Sequence, residues 1–157
     1  MNCSTIPNVL DIKVAADRLK ENVIYTPILE SSQMNEKLGF RLLVKAESLQ
    51  RTGSFKFRGA YNKISQIAIN ERSKGVIAYS SGNHAQGVAA SAKLFGLPAT
   101  IVMPSDAPNV KIENTVSYGA DIVYYDRKND NRIEIADRIS NETGGLIIPP
   151  YNDPDII

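Results

Sequence analysis

The feature that most constrains this chain is an alternation. Four short apolar runs recur: VIAYS at 76–80, ATIVM at 99–103, DIVYY at 121–125 and GLIIP at 145–149. The first three are separated by helical patterns, AQGVAASAKLF and NVKIENTVSYG, and a polar helical stretch at 129–142 precedes the last. Parallel strands need long crossovers, and helices are the usual crossovers, so this rhythm predicts a parallel sheet. Residues from about 50 to 150 therefore read as an open, doubly wound α/β unit with strands covered on both faces. The rhythm does not reveal the strand order. One further helix is expected at FKFRGAYNKISQIA (55–68), with Phe57, Tyr61, Ile64 and Ala68 along one stripe.

The first fifty residues are mixed. VLDIKVAADRLKE (9–21) sets Val9, Ile12, Ala16 and Leu19 at helical spacing, with Asn8 as N-cap. A short strand is expected after Thr26-Pro27, a short helix at 31–38 ending at Gly39, and a strand at 41–46. With 18 basic and 17 acidic residues in 157, the net charge is +1, so nothing points to nucleic acid. Cys3 is the only cysteine; it can form no internal disulfide or cysteine cluster for zinc, and no metal site is expected. No secretory signal and no membrane-length apolar run is seen, so a cytoplasmic setting is expected, with no membrane partner.

In open α/β sheets ligands bind outside the carboxyl ends of the strands. That rule selects Ser80-Ser81-Gly82-Asn83-His84, where the strand at 76–80 turns into a helix. Unpaired N–H groups at such a turn, with the positive end of the helix dipole, favour a phosphate or carboxylate. Gly and Asn also serve as plain turn residues, and Ser81 as a cap. A second feature is Thr52-Gly53-Ser54-Phe55-Lys56-Phe57-Arg58, which sets a lysine between two phenylalanines at a helix start. Apolar neighbours and a positive helix end favour the neutral amine, which can attack a carbonyl. On spacing alone, the favoured reading of Lys56 is a solvated lysine on an amphipathic helix.

Taken together, the two features carry a resemblance. KAESLQRTGSFKFRGAYN (45–62) and YSSGNHAQGV (79–88) resemble the N-terminal signatures of the serine racemase and threonine dehydratase family of pyridoxal-phosphate enzymes. LPATIVMP (97–104), the spacing from Lys111 to YGA (118–120) and PPYNDPDI (149–156) follow in the family's order. The resemblance implies a fold type II, tryptophan synthase beta-like enzyme. It implies that Lys56 forms the Schiff base with pyridoxal 5'-phosphate and moves protons on one face. It implies that Phe55 packs near the ring, where the plainer reading is ordinary core. Asn83 would bond the ring hydroxyl, where the plainer reading is a helix cap. Ser80, Ser81, Gly82, Asn83 and His84 would form the substrate loop. His84 is expected to be structural or to hold the substrate carboxylate, with catalytic base as the minority reading. Ser81, often alanine in the dehydratases, would carry a proton on the face opposite Lys56 in racemase-like members. A serine there permits racemisation without excluding dehydration, and hydroxyaspartate dehydratases resemble the same pattern.

The family's members are roughly twice as long, a second domain's worth of chain. The resemblance therefore implies residues 1–50 in a larger domain, residues 51–157 as the small α/β domain, and the rest of the larger domain outside these residues. The expected function is dehydratase (ammonia-lyase) or racemase on serine, threonine or a related hydroxy amino acid, as a truncated chain. The alternative is a non-catalytic remnant or partner fragment. A homo-oligomer, or association with a full-length paralogue, is the expected assembly. A dinucleotide-binding domain is disfavoured, because no G-x-G-x-x-G follows a strand.

Overall fold

The structure is a computed structural model that describes residues 6–157. Cys3 lies outside the described residues. Among the described residues, six helices and six strands follow in the order α1 (Val9–Leu19), β1 (Ile28–Glu30), α2 (Ser32–Leu38), β2 (Leu43–Lys45), α3 (Lys56–Ser65), β3 (Val76–Tyr79), α4 (Asn83–Phe95), β4 (Ala99–Pro104), α5 (Asn109–Ser117), β5 (Asp121–Tyr125), α6 (Arg132–Thr143) and β6 (Leu146–Ile147). Short 3-10 turns at Glu47–Leu49, Arg51–Gly53 and Ile69–Lys74 complete the chain.

The main sheet is parallel throughout, in the order β5-β4-β3-β6. Strand pleating sends alternate side chains to opposite faces. Val76 and Ala78 of β3, with Ile101 and Met103 of β4, join the core under α3, α4 and α5. Ile77, Tyr79 and Val102 face the other way, toward Ala136 of α6. Burial on both faces explains why β3 is continuously apolar in sequence.

The strand order follows from handedness. β3, β4 and β5 step outward in one direction; β6 then returns to the far side of β3. Right-handed crossovers put helices on opposite faces when the direction of stepping reverses. Accordingly α4 and α5 cover one face and α6 the other. The reversal opens a crevice between the carboxyl ends of β3 and β6, where such sheets bind ligands.

Among residues 6–50, β1 and β2 form a second, antiparallel sheet, while α1 packs through Leu19 against Phe57 and Tyr61 of α3. Asn8 accepts from Leu10 N at 2.7 Å and Asp11 accepts from Asn8 N at 2.8 Å, closing a capping box on α1. Gly39 ends α2 at φ 71°, a left-handed position that suits glycine. β1 pairs with β2 antiparallel, Ile28 opposite Lys45 and Glu30 opposite Leu43, and every residue of the two strands is exposed.

The fold sorts these expectations. Of the α1 positions at helical spacing, Leu19 is buried, while Val9 is 66% and Ile12 61% exposed, and Ala16 is exposed as well. α3 ends at Ser65, so Ala68 is off its stripe. There the side chains of Ser65 and Gln66 both bond the Asn62 carbonyl, competing with the helix ladder. Phe55 is not core: it is 56% exposed, while Phe57, two residues on, is fully buried.

Candidate active site

Lys56 is delivered by a strained turn. Thr52 (φ 61°) and Gly53 (φ 69°) are both left-handed, and for a β-branched residue such as Thr52 that conformation is costly. The hydroxyls of Thr52 and Ser54 are buried without partners. The Lys56 amine donates to the Pro150 carbonyl at 2.7 Å and lies 5.1 Å from the centre of the Phe55 ring. The exposed Phe55 thus borders the lysine head as a cation–π neighbour.

The second part of the site is the loop after β3. Ser80 N donates to Val102 O, prolonging the ladder, and Gly82 N donates to Ser80 Oγ at 3.3 Å. Nothing lies within 4 Å of where a Gly82 side chain would start, so the turn is open on that side. α4 begins at Asn83 with no side chain capping its first N–H groups, as do α3 and α5, whereas Asn8, Ser31 and Asn131 cap α1, α2 and α6. Those first-turn donors are free for an anion. Ser80, Ser81 and Gly82 are half-buried, Asn83 is exposed and His84 is buried.

Two polar contacts orient the start of α4. Lys111 Nζ of α5 donates to Asn83 Oδ1 at 3.1 Å. A lysine only donates, so it holds the amide oxygen and leaves the Asn83 NH₂ as a donor facing elsewhere. His84 Nε2 lies 2.9 Å from the Ile148 carbonyl. A carbonyl only accepts, so Nε2 carries the proton and Nδ1 is a bare acceptor, buried and unpartnered. Burial pushes the imidazole pKa down to about 4; the Lys56 charge lowers it further, and the bond to Ile148 partly offsets both. At neutral pH the ring is neutral.

The lysine and the loop meet through α3 and α4. A methyl on Gly87 would stand 3.1 Å from the Lys56 carbonyl group, so glycine lets the start of α3 press onto the first turns of α4. The segment after β6 closes the other side. Its carbonyls at 148 and 150 hold His84 and Lys56. The site therefore lies at the crevice between β3 and β6. Sequence reasoning missed Thr52, Lys111 and these two carbonyls as members of the site. Lys111 stood inside a recognised spacing but carried no role there, and backbone carbonyls have no residue signature.

A family model described as pyridoxal-phosphate dependent enzyme matches residues 19–157. The chain is 49% identical over 152 residues to the L-threo-3-hydroxyaspartate ammonia-lyase of Saccharomyces cerevisiae, covering 97% of this chain and 47% of that protein. It is 43% identical over 152 residues to the serine racemase of Schizosaccharomyces pombe, with the same two coverages. Among solved structures, maize serine racemase superposes with a TM-score of 0.90 at 39% identity, over 95% of this chain and 45% of that one. The chain thus spans about half the length of the curated relatives it matches.

Proposed function

Because this chain belongs to the family of pyridoxal-phosphate dependent enzymes, we propose that it serves an ammonia-lyase or racemase acting on serine, threonine or a related hydroxy amino acid. The observation that carries this reading is the shared hold of one segment, through Ile148 O and Pro150 O, on His84 of the uncapped loop and on the Lys56 amine. It sets the Lys56 amine beside an uncapped helix start at a sheet crevice.

The residues fit the ring end of pyridoxal 5'-phosphate. Lys56 would supply the amine that holds the aldehyde carbon, and Asn83, its amide oxygen held by Lys111, would offer its NH₂ to the ring oxygen. Phe55, exposed beside the lysine head, is an apolar flank for a flat ring. When bound, the cofactor supplies an electron sink for charge developing at the substrate's α-carbon. The protein does the rest. The Ser80–His84 loop and the first N–H groups of α4 bind the substrate carboxylate, helped by the helix dipole. Lys56 Nζ, free once the substrate's own amine takes its place on the aldehyde carbon, would take the proton from the α-carbon on one face. Ser81 Oγ carries a proton on the opposite face, the second carrier that racemisation needs. His84, with its pKa near 4, is unsuited to accept that proton at neutral pH and holds the loop instead.

The same reading assigns residues 1–50 to a larger domain, which accounts for the outward-facing apolar residues Ile28, Leu29, Leu43 and Val44. Residues 51–157 are then the small α/β domain, working on small amino acids in the cytoplasm. No described helix is long and apolar enough to cross a membrane.

The test is attachment. Pyridoxal phosphate is added, the mixture is reduced with borohydride, and the modified peptide is located by mass. Label on Lys56 that vanishes in Lys56→Ala is expected, with 2-oxo acid release or serine racemisation from the active enzyme. Label spread over surface lysines, with none favoured, would defeat the reading.

A further inference from the structure

Beyond Pro150 the chain does not leave the site; it runs back along α3 and is fastened there. Lys63 Nζ meets Asp153 Oδ2 at 2.6 Å, both side chains largely shielded from water, and meets Asp155 at 3.5 Å. Asn62 Nδ2 donates to the Asp155 carbonyl at 2.9 Å, and Gln66 Nε2 to Asp155 Oδ1 at 3.1 Å. At Gly59 the fit is so close that a methyl would lie 2.3 Å from the Ile156 carbonyl oxygen. The connecting residue Asn152 is left-handed, φ 56°, a conformation asparagine adopts more readily than most residues.

We propose that the Lys63–Asp153 ion pair is a positioning device for the cofactor lysine, acting through the Pro150 carbonyl. It rests on the assignment of Lys56 as the lysine that holds the cofactor. Pro150 and Asp153 are three residues apart, a reach of at most about 11 Å even when extended. The left-handed turn at Asn152 shortens it further. Anchoring Asp153 on α3 therefore limits where the Pro150 oxygen can sit. That oxygen receives the Lys56 amine, which belongs to the first turn of the same helix. The strap thus runs from Lys56 to Lys63, two turns along one helix, and holds one end by charge and the other by a neutral acceptor. The difference is useful. A neutral carbonyl holds the amine in place but releases it more easily than a carboxylate would. The carboxylate of Asp153 meanwhile is engaged by Lys63, away from the reactive amine.

The experiment reads Lys56 without cofactor. The cofactor-free protein is treated with a trace of an amine-acylating reagent, and the labelling rate of each lysine is followed by mass spectrometry. Lys45, which donates to the Thr26 carbonyl away from the strap, serves as the control for global unfolding. In Asp153→Ala the Lys56 rate should rise about tenfold, as expected for loss of one charge-assisted hydrogen bond, with Lys45 unchanged. Asp153→Glu keeps the charge and should return the rate toward the parent's. Gln66→Ala trims only an exposed edge of the anchor and should raise the rate by a smaller factor. Should Asp153→Ala unfold, marked by a rise at Lys45, the Gln66→Ala and Asp153→Glu rates decide. Unchanged Lys56 labelling in the folded variants, or a rise in Asp153→Glu equal to that in Asp153→Ala, overturns the proposal. If the parent takes up no pyridoxal phosphate on Lys56, the proposed function fails, while the labelling rates still judge the strap.

Discussion

His84 illustrates how one residue's role depends on what surrounds it. It is the only histidine, and in sequence it invites a base. In the fold it is 3% exposed, its Nε2 proton is committed to Ile148 O and its Nδ1 has no donor. Such a ring resists protonation, and that resistance is a stability statement. Its ordinary pKa is 6.5 and its folded value about 4. Between those values the unfolded chain binds the extra proton, so acid favours unfolding. The stabilisation is complete above about pH 6.5 and is lost as pH falls to about 4, some 3 kcal/mol in all at 1.36 kcal/mol per unit. His84→Gln keeps a donor for Ile148 O but cannot titrate. Urea unfolding at pH 7 and pH 4.5 should show the parent losing about 2–3 kcal/mol more than the variant. Equal losses would mean that the ring is not held neutral in the fold. The identity of the residue was legible in the sequence, but its protonation was not, because burial and the Ile148 carbonyl come from chain sixty-four positions away.

At the scale of elements, the site is a matter of how α3 lies on α4. The alternation of strand and helix was readable because a two-residue period and a 3.6-residue period leave different apolar patterns. The spacing between two helices is not encoded by any period. Here it is set by Gly87, whose missing side chain admits the Lys56 backbone. Gly87→Ala therefore costs about 1–3 kcal/mol by overpacking, even though alanine is the better helix former. It should also weaken cofactor attachment, because the backbone that carries Lys56 has to shift. The paired measurement is urea unfolding alongside the reduced Lys56 adduct. A variant as stable as the parent, with full attachment, would show that the two helices do not need this close approach. The early end of α3 has a similar cause: Ser65 and Gln66 look acceptable in a helix but turn their side chains onto the Asn62 carbonyl.

For the molecule as a whole, the question is how much of a cofactor these residues can hold. Outside the Ser80–His84 turn, the only adjacent glycines are Gly144 and Gly145. They precede β6, at the amino edge of the sheet, and cannot cradle a phosphate there. Gly144 ends α6, and a side chain on Gly145 would meet Ile77 and the Lys74 carbonyl at 2.9 Å. A phosphate held by these residues would have to meet donors other than this glycine pair. The sequence by itself determined the parallel α/β class, the alternating elements with the Asn8 cap and the Gly39 stop, and the two motifs that carry Lys56 and Asn83. Local periodicity and local hydrogen bonding suffice for those. Only the tertiary structure decided that β6 returns beside β3, and with it that the crevice lies where Ile148 and Pro150 reach His84 and Lys56. Strand order is a choice among long-range pairings that share one local pattern, and it is made by crossover handedness and by which faces can be buried together.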